Sequence, residues 1–229
     1  MHENSSKRRR ERKLERKAGK RPSYPRVLLV CEGEKTEPNY FREIRRFWSI
    51  PTAHWEVLPS DFGTGPEKVV EFAEFKARSE GLWDEVYCIF DRDQHEHYQE
   101  AIEQTRRLDG KLKTAKPMTS PVRFMAIPSI PCFELWFVLH FQTATREEQR
   151  HTIKHRLENC IPGYDKYFED MFERTKDRLP IAYRNATNAR KRKAETGNGN
   201  PSTDADILVK RLHEIGEMKN NPHHTERST

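Results

Sequence analysis

The sequence has no paired Cys-x-x-Cys spacing, no apolar run long enough to cross a bilayer, no internal repeat and only 10 glycines in 229 residues. Each absence excludes something. The four cysteines, Cys31, Cys88, Cys132 and Cys160, supply neither a disulfide framework nor a thiolate zinc site. Cys31 and Cys88 fall inside apolar runs and read as buried free thiols, which suits a reducing cytoplasm. The missing span, together with an N-terminus charged throughout, argues against secretion and membrane insertion. Apolar residues make up 34% of the chain, so part of it is expected to lie outside any core.

Charge of one sign is scarce everywhere except at the start. Residues 7–21 hold ten Lys or Arg and two Glu, a local charge of +8 in a chain whose total is +6. The remainder therefore sums to −2, and the basic character belongs to an arm over residues 1–24. Such an arm is expected to be disordered or frayed helix until it meets an anion, and nucleic acid is the favoured partner because phosphate contacts release counterions.

Four short apolar runs organise the rest. Val27 to Cys31 has the β-branched, unbroken character of a strand buried on both faces, and it stops at once in Glu32-Gly33-Glu34. Pro38 suits the first turn of a helix over about 38–49. A second strand is predicted at 55–58, and a loop over 61–66 ends with Thr64 or Gly65 as cap and Pro66 in the first turn of a helix to Gly81. The run 85–90 is another buried strand, ending in Asp91-Arg92-Asp93. A polar helix is expected at 96–109, a strand at 122–127, and a helix apolar on nearly every side at 131–141. Alternating strands and helices predict an α/β fold with a mainly parallel, doubly wound sheet flanked by helices. After residue 141 no strand is expected. Helices are predicted near 146–159, 165–178, 181–195 and 203–217, with a break at 197–201 and a capping box of Thr203 and Asp206. The division is a basic arm at 1–24, an α/β core at 25–143, a helical C-terminal region at 144–219 and a tail at 220–229.

Two strands end in acids, Glu32 after the first and Asp91 with Asp93 after the third. Neighbouring parallel strands would bring these carboxylates together, and like charges packed together favour a bound cation. Oxygen ligands without paired Cys or His point to Mg²⁺ or Mn²⁺. Glu34 and Glu37 both lie in the first acidic turn. Glu134 sits on the apolar helix, where an acid is costly unless it holds a metal or pairs with an Arg. His95 and His97 follow the acids of the third strand. His151 and His155 stand four apart on a helix with no third ligand in view and read as surface. Arg184, Arg190, Lys191, Arg192 and Lys193 form a late basic helix suited equally to phosphate or to solvent.

Val-Cys-Glu-Gly-Glu-Lys-Thr-Glu-Pro-Asn-Tyr-Phe (30–41), Phe-Asp-Arg-Asp (90–93), Ser-Ile-Pro-Cys-Phe-Glu-Leu-Trp-Phe-Val-Leu-His-Phe (129–141) and Asn-Pro-Ser-Thr (200–203) resemble the successive motifs of RloB-like proteins. The resemblance covers roughly residues 25–215. It implies a link to phage defence and a core similar to the Toprim domain of OLD-type nucleases, in which a Glu and a DxD hold Mg²⁺. Matched here, these are Glu32, Asp91 and Asp93. It further implies a second acid, matched to Glu37 with Glu34 in competition, and a late Lys, matched to Lys166. The expectation is a Mg²⁺- or Mn²⁺-dependent nuclease acting on DNA or RNA, tRNA included, through Glu32, Asp91, Asp93, Glu37, Glu134 and Lys166. Two alternatives stand beside it. One is a non-catalytic nucleic-acid-binding or sensor subunit working with a partner ATPase. The other is a haloacid-dehalogenase-like phosphatase with Asp91 as nucleophile. The chain is too short for the extra domains of a topoisomerase or primase.

Overall fold

The computed structural model describes residues 24–51, 55–63, 65–92, 97–115, 120–197 and 199–220. The basic arm up to residue 23, the tail from 221, and Thr64, Asp93 and His95 lie outside the described residues. Five strands form one sheet: β1 (Val27–Cys31), β2 (Trp55–Pro59), β3 (Glu85–Asp91), β4 (Arg123–Ile130) and β5 (Ser202–Thr203). Their order is β2-β1-β3-β4-β5, and all neighbours are parallel except β5, which runs antiparallel to β4. The described helices are α1 (Thr36–Phe47), α2 (Pro66–Glu80), α3 (Tyr98–Leu108), α4 (Glu134–Val138), α5 (Arg150–Cys160), α6 (Met171–Thr175), α7 (Leu179–Thr196) and α8 (Ala205–Asn220).

Strand pleating divides the core into two layers. Val27, Leu29 and Cys31 face one way, where they join Tyr40, Phe41 and Ile44 of α1 and the apolar side chains of α4 to α8. Leu28 and Val30 face the other way, against Val69, Val70 and Ala73 of α2 and Ala101 and Leu108 of α3. Every residue of β1 is therefore buried, which is why its sequence shows no polar alternation. Each such Val or Leu contributes on the order of 1.5–3 kcal/mol by leaving water. Cys31, Cys88 and Cys132 are buried free thiols. Among the described residues no helix is long and apolar enough to cross a membrane.

Three expectations fail. The helix predicted at 165–178 forms only from Met171, as α6 followed by a 3-10 turn over Lys176–Arg178. A strand does follow residue 141: Ser202 and Thr203 pair with Ile130 and Ser129, and the Ser129 and Thr203 hydroxyls lie 2.8 Å apart. Two residues carry no alternation that a pattern search can see. The capping box is only half formed. The Thr203 hydroxyl accepts from the Ala205 N–H at 3.1 Å, but the buried Asp206 carboxylate turns instead to Arg190 and Lys210. A charged pair outcompetes a neutral backbone donor at a buried position.

The sheet order reverses direction between β1 and β3. The chain leaves β1 toward β2 on one side and returns to β3 on the other. In open α/β sheets the crevice beyond the carboxyl ends at such a reversal is where ligands bind.

Candidate functional site

Glu32 and Asp91 stand at that reversal. β1 and β3 are in register, with Cys31 opposite Ile89, and the Glu32 N–H donates to the Ile89 carbonyl at 2.9 Å. The Glu32 carboxylate then turns across and accepts the Asp91 N–H at 2.9 Å. On the far side, Asp91 is opposite Ser129, and the Arg92 N–H reaches the Ser129 carbonyl at 2.9 Å. The two acids predicted from separate strand ends are thus adjacent, fixed by backbone pairing rather than by flexible loops. Asp93 lies outside the described residues.

The first turn supplies one more acid to this place. Glu37 is 6% exposed, whereas Glu34 points into solvent, so Glu37 is the one gathered into the site. Its carboxylate folds back over the turn. A Cβ added to Gly33 would come within 2.3 Å of Glu37 Oε2, so the glycine makes room for it.

Glu134 arrives from the third motif, at the start of α4, and is 7% exposed. Aromatic packing between α4 and α1 brings it there. Trp136 Nε1 donates to the Tyr40 hydroxyl at 2.8 Å, and the Tyr40 ring meets Phe133 and Phe137 edge-on at 6.0 and 5.2 Å. Glu37 lies three residues before Tyr40, and Glu134 three before Phe137, so the ring contacts bring one turn of each helix, with its acid, into the site. The runs of aromatics in the motifs are therefore the scaffold for the acids between them.

The electrostatics register this gathering. Burial, reinforced by Glu134 and Glu32 and opposed by Arg150, raises the Glu37 carboxyl from 4.5 to about 7. Asp91 is raised well above its ordinary value by burial, then by Glu37, again against the pull of Arg150, with Glu134 and Glu32 adding to the rise. The Cys132 thiol is pushed up by burial and by Glu134. Tyr164 belongs to the same neighbourhood. Burial raises its phenol, Glu134 adds to the rise, and its hydroxyl has no partner at hydrogen-bond distance among the described residues, although Thr36 stands close.

Arg150 was not foreseen. It opens α5, and its guanidinium donates to Asp91 Oδ2. The loop that delivers it is laced from three directions. Asn200 accepts the Glu148 N–H at 3.3 Å and donates to its carbonyl at 2.9 Å. Arg156 donates to the Thr143 carbonyl at 2.8 Å and pairs with Glu148. Arg192 donates to the Ala144 carbonyl at 3.3 Å and to that of Thr145. The fourth motif, Asn-Pro-Ser-Thr, thus acts twice: Asn200 anchors the Arg150 loop and Thr203 pairs with β4. No local pattern marks Arg150; only the position of Asp91 gives it meaning.

The other predicted residues stand outside the acid cluster itself. Lys166 is exposed, with its ammonium 5.2 Å from the centre of the Tyr167 ring. His97 meets Glu100 at 2.9 Å at the start of α3, and His151 and His155 are exposed on α5, as read from the sequence. On the basic helix α7, Arg190 is bound to Asp206 and the Thr203 carbonyl, and Arg192 holds the loop, which leaves Arg184 and Lys191 exposed. The Lys193 side chain lies outside the described residues. A cavity of about 660 Å³ between α3 and β4 is lined by Tyr98, Arg106, Asp109, Phe124 and Asp204 and includes none of the four clustered acids.

The donor set suits a hard cation. It is all oxygen, and the carboxylate repulsion that adds to burial in raising Glu37 and Asp91 is what a divalent ion relieves. The placement is less complete: among the described residues no three Asp, Glu, His or Cys side chains converge at chelating distance, and Arg150 occupies Asp91.

No curated protein and no solved structure matches the chain. The family model described as RloB-like protein matches residues 27–212, which spans β1 to α8 and takes in all four acids and Arg150. The chain belongs to the RloB-like protein family.

Proposed function

We propose that this chain is a divalent-metal-dependent nuclease of the Toprim type, cleaving phosphodiester bonds in DNA or RNA. The observation that carries the proposal is the gathering of Glu32, Glu37, Asp91 and Glu134 at the β1/β3 reversal, with Glu37 raised by burial, Glu134 and Glu32, and Asp91 raised by burial and then by Glu37. Glu32, Glu37 and Asp91 would hold Mg²⁺ or Mn²⁺, with Glu134 beside them and Asp93, assigned by resemblance, completing the set. The ion would supply charge neutralisation at the phosphodiester and an activated water. The chain's own groups do the remainder. The Asp91 N–H fixes the Glu32 carboxylate. Gly33 leaves room for Glu37. Arg150, whose side chain is 42% exposed, offers guanidinium N–H groups to a phosphate while its inner edge holds Asp91. The basic arm and the exposed cations of α7 would hold the phosphate backbone.

The test is cleavage of plasmid DNA and of total tRNA with Mg²⁺, Mn²⁺ or EDTA. Metal-dependent cleavage lost in Glu32→Gln and in Asp91→Asn, each with an unchanged circular dichroism spectrum, is the expected result. Cleavage that survives both substitutions overturns the assignment. A role in antiphage defence belongs to the same proposal, and Asp91→Asn should then abolish protection in a phage plating assay.

A second reading has one observation in its favour. The ion pair of Arg150 with Asp91 is what a non-catalytic nucleic-acid-binding subunit would use to neutralise a buried acid. That reading predicts nucleic-acid binding without cleavage by the isolated chain, indifferent to EDTA.

A further inference from the structure

Tyr167 is a large aromatic side chain left 57% exposed in a fold that buries most of its aromatics. Two cations frame it. Lys35 Nζ lies 5.8 Å from the ring centre and Lys166 Nζ 5.2 Å. They come from segments 131 residues apart, so more than sequence proximity brings them to one ring. Lys35 is the cap residue of α1, immediately after the acidic turn and two residues before Glu37. Tyr164, three residues before Tyr167, reaches the other way, into the neighbourhood of Glu134 and Glu37. The Tyr167 ring therefore stands on the rim of the acid site. Its backbone is held in place, because the Tyr167 N–H donates to Asp165 Oδ1 at 2.8 Å.

We infer that Tyr167, flanked by Lys35 and Lys166, is a stacking platform for one unpaired nucleotide of the nucleic acid whose backbone enters the acid site. An aromatic face stacks any base, and the two ammoniums that lie over the ring are displaced by the base to the phosphates on either side. A base inside a duplex has both faces covered by its neighbours and cannot lie on an exposed ring. The platform accordingly selects single-stranded segments, loops or frayed ends over continuous duplex. The flexible stems of the two lysines let the ammoniums move from the ring to a phosphate as the base arrives. This inference rests on the proposed nuclease reading for the identity of the ligand, but its test does not use cleavage.

The test is fluorescence anisotropy with the full chain in EDTA, where no metal-dependent cleavage proceeds. The probes are a labelled single-stranded oligonucleotide and the duplex of the same sequence. Tyr167→Ala is expected to weaken single-strand binding about tenfold and to leave duplex binding unchanged, the tenfold loss being one lost stacking contact. Tyr167→Trp is expected to restore single-strand binding. The pair Lys35→Ala with Lys166→Ala is expected to reduce the slope of single-strand affinity against salt by about one to two phosphate contacts. Unchanged single-strand binding in Tyr167→Ala overturns the inference. So does an equal loss for single strand and duplex, or the absence of single-strand binding by the unaltered chain. Failure of the nuclease reading would appear separately, as binding intact and cleavage absent with Mg²⁺.

Discussion

Strand β3 carries a buried acid at each end, and the two are held in opposite electrostatic states. Glu85, at the amino end, is 6% exposed and is gripped by Arg211 through Nε at 3.1 Å and Nη2 at 2.5 Å, with the Tyr87 hydroxyl donating at 2.6 Å. Although burial alone would raise it, the bonds from Arg211 and Tyr87 leave its carboxyl below the ordinary value. Asp91, at the carboxyl end, is 5% exposed and also meets an arginine, yet it is raised, first by burial and then by Glu37, with Glu134 and Glu32 adding to the rise against the pull of Arg150. One end is a completed ion pair. The other concentrates more negative charge than Arg150 offsets. A structural acid has its charge balanced where it stands; a cluster of buried acids whose repulsion one arginine only partly offsets, at the crevice where an α/β sheet binds ligands, is the arrangement expected of a site that takes a cation.

The largest expected effect belongs to the satisfied end. Glu85→Ala leaves the Arg211 guanidinium with Glu214 alone and removes the acceptor of the Tyr87 hydroxyl, and should cost about 3–4 kcal/mol in urea unfolding, with activity retained in proportion to the folded fraction. The pH dependence comes next and separates the two ends. Glu37 has a folded value of about 7 against 4.5. Between these values the unfolded chain has released a proton that the folded chain keeps, so stability falls as pH rises, by at most about 3 kcal/mol. Raised Asp91 acts in the same direction. Glu85, being lowered, contributes stability that is lost as pH falls below 4.5. The metal-free protein should therefore melt highest near about pH 5, and Mg²⁺ should flatten the alkaline limb only. A maximum near pH 8 without metal would contradict this.

At the crowded end a substitution should stabilise. Glu37→Gln should raise metal-free stability at pH 8 by about 1–2 kcal/mol while lowering cleavage, a trade of function for stability absent at Glu85. The smallest effect is Gly33→Ala. Its methyl displaces the Glu37 carboxylate, so stability should change by less than about 1 kcal/mol while the Mg²⁺ concentration needed for half-maximal cleavage rises.

The sequence made the strand ends legible because each acid stops an apolar run: Cys31 to Glu32 and Phe90 to Asp91 are abrupt changes of solvent preference. Their adjacency follows from the parallel pairing of β1 with β3, which are not consecutive in the chain; the α/β alternation announces a parallel sheet but not which strands are neighbours. The choice between Glu34 and Glu37 was not legible, because both sit in the same turn and only the close approach over Gly33 selects one. Arg150 was not legible either. Its role comes from a loop tied by Asn200, Arg156 and Arg192, through contacts that span 8 to 52 residues of chain and leave no periodic trace. By charge content alone the basic helix α7 suits phosphate or solvent equally, and charge content does not reveal that Arg190 and Arg192 have carbonyl and carboxylate partners. The strand at Ser202–Thr203 is too short for any alternation to appear.

The central claim is that the acids at the carboxyl ends of β1 and β3 form a divalent-cation site. Its most direct test is Mn²⁺ titration of the purified chain at pH 6.5, with bound ion followed by electron paramagnetic resonance and proton release by calorimetry in two buffers. Saturable binding that releases protons, because Glu37 and Asp91 must ionise to receive the ion, and that is lost in Asp91→Asn, is the result expected. Saturable binding unchanged in Asp91→Asn and Glu37→Gln, or no binding at all, would contradict it.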